Sequence, residues 1–191
     1  CQAETGYTCV DASPISYCYF EISSTTSIGI PDGTTGTCHP GASPSAGTLT
    51  ASTATNCVLS HIDRVQLNLI HNWPGDVTLT LVAPNAAAFP VTTRPGGSAC
   101  GASTAVNGAY RWSDQNPANL LFGTDSVSPA ATYFPANETA ASTTSFPDVR
   151  QAMNVSGISS AGTWTLEARD FVSADTGSVS NLAIHARCQV Q

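Results

Sequence analysis

Val65-Gln66-Leu67-Asn68-Leu69-Ile70-His71-Asn72-Trp73-Pro74-Gly75-Asp76-Val77-Thr78-Leu79-Thr80-Leu81-Val82 decides the fold. Apolar Val65, Leu67 and Leu69 alternate with polar Gln66 and Asn68, and Val77, Leu79 and Leu81 alternate with Thr78 and Thr80. A period of two sets one face of a strand on a core and the other in water. Between the two runs, Pro74-Gly75 at the centre of a turn predicts type II geometry, because glycine accepts the positive φ. Read locally, the stretch predicts a β-hairpin.

The same period recurs downstream. Trp164, Leu166 and Ala168 alternate with Thr163, Thr165, Glu167 and Arg169, and Leu182, Ile184 and Ala186 alternate with Ala183, His185 and Arg187. Tyr17 to Ile22 reads as an earlier strand. The segments 40–56, 84–109 and 124–145, rich in Ser, Thr, Ala, Gly and Pro, read as long loops, and Asp148 to Met153 as a short helix. The fold class that follows is all-β: a jelly-roll-like antiparallel sandwich, one domain with long loops and disulfides. Its length of 191 residues suits one large domain.

Composition excludes several functions. Charged residues make up 10% of the chain, against about 25% in an ordinary soluble domain. The net charge is −7 and there is no Lys. A nucleic-acid partner or an anionic membrane surface needs a basic stripe, which the sequence lacks. No apolar run reaches the roughly 20 residues of a membrane helix. The start at Cys1 reads as a processed, secreted product.

Seven cysteines occur: Cys1, Cys9, Cys18, Cys38, Cys57, Cys100 and Cys188. Their scatter, with no CxxC spacing, points to disulfides in an extracellular setting rather than zinc. An odd count leaves at least one thiol over, and Cys1 is the natural candidate for an intermolecular bridge. The sequence leaves the pairing open. Two sequons, Asn137-Glu138-Thr139 and Asn154-Val155-Ser156, are expected glycosylation sites.

Five motifs together give a resemblance. They are Ile30-Pro31-Asp32, the run Ile70 to Asp76, the strand Val77 to Pro84, Gly162-Thr163-Trp164-Thr165-Leu166, and Asp170-Phe171 through Asp175-Thr176-Gly177 leading into Val179–Ile184. In this order they resemble the P domain that follows the catalytic domain of proprotein convertases and secreted subtilisin-like proteases. The resemblance covers about residues 28–187 and divides the chain into an N-terminal Cys-containing extension, 1–27, and a P-domain-like sandwich, 28–191. It implies a jelly-roll sandwich without catalysis that stabilises, tunes or contacts a neighbour. This chain departs from the pattern at Ala83-Pro84-Asn85-Ala86-Ala87, where the family has Ser-Pro-x-Gly-Thr, and the 85–145 region is longer.

The residues offer little catalytic chemistry. No GxSxG elbow is present. His61 and Asp63 read as a surface pair rather than two members of a triad. His39, His61, His71 and His185 follow no HExxH spacing, and His71 is expected to make a structural hydrogen bond at its strand end. Asp76, Asp170 and Asp175 on turns are the candidate ligands for Ca²⁺, as the resemblance also suggests. By alternation Trp164 belongs to the core, and Trp73 lies in a turn. Trp112, in Tyr110-Arg111-Trp112, is expected in a loop and exposed, where it would stack on sugar.

Three functions are therefore carried forward. The first is an extracellular structural subunit that binds copies of itself, as a filament or surface layer. The second is the accessory domain of a secreted protease, and the third a carbohydrate-binding or adhesive module. None is enzymatic.

Overall fold

A computed structural model describes residues 8–12, 15–34, 44–93, 103–113, 132–133 and 155–189. The chain forms β1 (Thr8–Ala12), β2 (Ile15–Ile30), β3 (Gly47–Thr53), β4 (Leu59–His71), β5 (Val77–Val82), β6 (Ala88–Thr93), β7 (Val106–Trp112), β8 (Thr132–Tyr133), β9 (Gly162–Asp170) and β10 (Gly177–Cys188). These build two sheets, one of six strands in the order β1-β2-β10-β4-β7-β8 and one of four in the order β3-β9-β5-β6. Every pairing is antiparallel except β7 with β8. The expected antiparallel β-sandwich is what forms. Among the described residues no helix is long and apolar enough to cross a membrane.

The alternating rows do what their period demands. Val65, Leu67 and Leu69 of the six-stranded sheet and Val77, Leu79 and Leu81 of the four-stranded sheet are buried, with Trp164, Leu166 and Ala168 beside them. Trp112, Trp164 and Tyr110 are the bulkiest of the fully buried side chains. β2 begins at Ile15, in the extension, and from Tyr19 to Ile30 it lies along β10.

The hairpin expected of Val65–Val82 does not form. β4 pairs with β10 and β7, whereas β5 pairs with β9 and β6. The two strands lie in opposite sheets, joined by one 3-10 turn at Pro74–Asp76 that is itself buried. The Asp76 amide donates to the Trp73 carbonyl at 3.1 Å. Gly75 is not among the glycines with positive φ, so no type II turn is made. The reason lies in burial. Both strands carry an unbroken apolar row, and rows on opposing sheets bury each other across the core.

All three expected loops contain strands, and segment 124–145 holds β8. Segment 40–56 holds β3, whose Leu49 and Ala51 are buried against β9. Segment 84–109 holds β6 and the start of β7. The Ser/Thr content hid β3, because an edge strand needs apolar residues on one face only. Most of 124–145 and the helix expected at Asp148 to Met153 lie outside the described residues.

Candidate functional site

Three of the motif segments, Ile30-Pro31-Asp32, the run Ile70 to Asp76 and the turn after Asp170, converge at one end of the sandwich. His71 closes β4 in the first sheet and Asp170 closes β9 in the second. Each extends an inward-facing apolar row by two residues, so each side chain arrives in the interior. Both are fully buried. His71 Nε2 lies 3.1 Å from Asp170 Oδ2, and the Trp73 amide donates to His71 Nδ1 at 3.1 Å. A ring nitrogen that accepts an N–H carries no proton, so Nε2 carries the hydrogen and donates it to the carboxylate. The Val172 amide donates to Asp170 Oδ1 at 3.0 Å. Both carboxylate oxygens therefore hold a donor, and the pair clasps the two sheets together.

The chain around this clasp is closely fitted. The Phe171 amide donates to the Asp76 carbonyl at 3.1 Å, tying the arch to the late turn. The Ala174 amide, at a residue with φ 86°, donates to the Asp32 carboxylate at 3.1 and 3.2 Å. Gly177 lies on the His71 ring, and a Cβ there would also fall 2.7 Å from the Ile70 carbonyl oxygen. Glycine is required at that position by close approach. Ile30-Pro31-Asp32, the 70–76 arch and the 170–177 turn thus form a single structural unit.

His71 makes the structural hydrogen bond expected of it, with a second across the sheets. Both ring nitrogens are committed to protein atoms. Of the three carboxylates put forward for Ca²⁺, Asp76 and Asp170 are buried at this end, and Asp175 is half-buried in the turn after β9. Among the described residues no group of three or more His, Cys, Asp or Glu side chains is assembled to hold a metal ion.

The opposite end is held covalently. Cys57 and Cys188 form a disulfide with a Cα–Cα distance of 5.7 Å. Ser160 organises the backbone next to it, since its hydroxyl donates to the Thr55 carbonyl at 2.6 Å and accepts the Cys57 amide at 2.9 Å. Trp164 Nε1 donates to the Ser160 carbonyl at 3.0 Å. The β1–β2 register sets Cys9 opposite Cys18. Cys1, Cys38 and Cys100, His39, and the sequon residues Asn137 and Asn154, lie outside the described residues.

The outer face of the six-stranded sheet carries a polar ladder. His185 on β10 sits opposite Glu21 on β2 and Arg64 on β4. An Arg64 terminal nitrogen lies 2.9 Å from His185 Nε2, and Glu21 is 3.5 Å from the same nitrogen. Burial, and then the Arg64 guanidinium, push the His185 imidazole below its ordinary value; Glu21 and Asp63 pull the other way, and Arg111 adds to the fall. Asp63 forms an ion pair with Arg187, so its partner is an arginine and not His61.

The sugar platform expected at Trp112 is overturned. Trp112 belongs to β7, points inward and is completely buried. The expectation failed because Gly108-Ala109 interrupts the alternation of β7 and makes its sequence read as a loop. Trp164 is in the core as expected, and Trp73 is 37% exposed beside the arch.

No protein-family model matches the chain, and no curated protein matches it. Among solved structures it is similar to a chain of the crystal structure of the Aeromonas sobria serine protease and chaperone (ORF2) complex. The TM-score is 0.50 with 14% identity, over 91% of this chain and 26% of that one. It is also similar to the crystal structure of the serine protease of Aeromonas sobria, with a TM-score of 0.43 and 14% identity, over 88% of this chain and 27% of that one. The chain spans about a quarter of the length of the solved chains that it matches. At this identity the first likeness is one of fold.

Proposed function

We propose that this sandwich is a non-catalytic accessory domain of a secreted, subtilisin-like serine protease, and that it stabilises the catalytic domain it accompanies. The observation that carries this reading is the fold likeness to a chain of a serine protease–chaperone complex, which takes in 91% of this chain. The sequence supports it independently. Three of the five motifs that resemble a P domain, Ile30-Pro31-Asp32, the 70–76 arch and the 170–177 turn, are far apart in the chain yet gather into one structural unit around His71 and Asp170.

The commitment of both His71 nitrogens supports the non-catalytic part. A general base must offer a free lone pair to its substrate, and His71 has none to offer. No observation on the described residues speaks for the filament or surface layer suggested by the low charge and the cysteines, so the accessory role comes first.

Chemical cross-linking of the native secreted material, read by mass spectrometry, tests the proposal. Cross-links from this domain to a subtilisin-like catalytic domain are expected, on the same chain or on another. Removing the domain is expected to lower the thermal midpoint of that protease. Cross-links confined to copies of this chain would overturn the reading in favour of self-assembly.

A further inference from the structure

Four of the six arginines are among the described residues: Arg64, Arg111, Arg169 and Arg187. Arg169 pairs with Glu167 at 2.9 Å and Arg187 pairs with Asp63. Among the described residues, Arg64 and Arg111 form no ion pair with a carboxylate. Arg64 is held by His185, and Arg111 donates through Nε to Gln66 Oε1 at 2.9 Å. Acids outnumber bases 13 to 6 in this chain, so a partner acid was easy to supply. Both guanidiniums are instead braced by neutral acceptors.

Their placement is also specific. Gln66 of β4 is opposite Arg111 of β7, and Val65 opposite Trp112. Val65 and Trp112 face the core, so Arg64, Gln66 and Arg111 share the outer face. Arg64 and Arg111 are then diagonal neighbours on adjacent strands, about 7–8 Å apart at the backbone. Arg64 Nε is buried, without a hydrogen-bond partner, which presses the stem of the side chain onto the sheet and leaves the terminal nitrogens to make its contacts. Gln66 and His185 fix the two guanidiniums in advance, which lowers the entropy lost on binding.

We propose that Arg64 and Arg111 form a carboxylate-receiving site on the outer face of the six-stranded sheet, and that it takes an acidic peptide segment of a protein partner. The guanidinium fork matches a carboxylate in a bidentate manner. Charge complementarity selects the occupant: within a chain of net charge −7, this face presents two cations that form no ion pair with a described carboxylate, the nearby Glu21 pairing with His185 instead. Gln66 and His185 act as positioning residues. The site stands on this geometry alone and does not depend on the partner being a protease.

Titration of the intact chain with hexaglutamate, followed by NMR of the arginine Nε–H groups and the sheet amides, tests it; hexaglutamine is the uncharged control. Saturable shifts centred on Arg64, Gln66, Arg111 and His185 are expected, weakening as salt is raised. Affinity should fall about tenfold or more in R64Q/R111Q. It should stay unchanged in R169Q, where the lost arginine already has its acid. R111Q alone, which removes a side chain whose partner among the described residues is Gln66, should show a smaller fall and covers the case in which the double variant unfolds. Shifts that are absent, spread evenly over the surface, equal with hexaglutamine, or undiminished in R111Q would each overturn the site.

Discussion

The two ends of the sandwich solve one problem with different chemistry. At one end β4 and β9, from opposite sheets, are joined by the buried His71–Asp170 pair, with backbone amides completing the valences of both side chains. At the other end the start of β4 and the finish of β10, within one sheet, are joined by the Cys57–Cys188 disulfide, with Ser160 arranging the backbone beside it. The polar clasp acts on the folded state and works only while every donor has its acceptor. The disulfide acts chiefly on the unfolded chain, by closing a loop across a sequence separation of 131 residues. One end is therefore sensitive to substitution, the other to reductant.

Breaking the polar end should have the largest effect. His71→Phe keeps the ring volume but strips Asp170 of one donor and the Trp73 amide of its acceptor, leaving a buried carboxylate half-satisfied. A loss of about 3–5 kcal/mol of unfolding free energy is expected, read from urea unfolding. A loss below about 1 kcal/mol would mean that the pair contributes no more than an exposed one.

The covalent end comes next. The double variant C57S/C188S should lose about 2–4 kcal/mol, with the folded-state amide spectrum little changed away from residues 57 and 188. If the amides of His71 and Val172 also shift, the two ends are coupled through β4 and β10, and the contrast drawn between them fails. Adding reductant to the His71→Phe variant sharpens the comparison, since distant sites are expected to add.

The smallest effect is on pH dependence and belongs to neither end. The folded His185 holds its proton more weakly than an unfolded histidine, whose pKa is about 6.5. Below that value the unfolded chain binds more protons, so stability falls as pH falls; above it both states are neutral and the contribution is complete. Wild-type protein should therefore lose more stability than His185→Gln between about pH 7.5 and pH 5. Equal slopes for the two proteins would show that the Arg64 and desolvation effects are offset by Glu21.

Sandwich elements were legible wherever an apolar row ran unbroken. β5 and β9, β4 from Val65 to His71, and β10 from Leu182 to Ala186 place every second residue in the core, and a period of two can be read without any tertiary knowledge. β3 and β7 were missed because an edge strand and a Gly-Ala interruption weaken that signal. The buried pair had a trace in the sequence: His71 and Asp170 each continue an inward row, where a polar side chain must find a partner. Nothing local said that they were partners of each other. The Arg64–Arg111 diagonal had still less of a trace, since a register between strands far apart in sequence appears in neither strand.

What the sequence determined by itself is the class: alternation imposes strands with one dry face, and the scarcity of charge and of helical stripes leaves a sandwich as the way to bury those faces. What only the tertiary structure decided is which dry faces meet. Pro74-Gly75 is compatible with a hairpin and with an arch, because turn propensity acts over four residues. Burial of the rows on either side acts over the whole domain, and it sent β4 and β5 to opposite sheets. That choice brought His71 against Asp170 and placed Trp112 in the core.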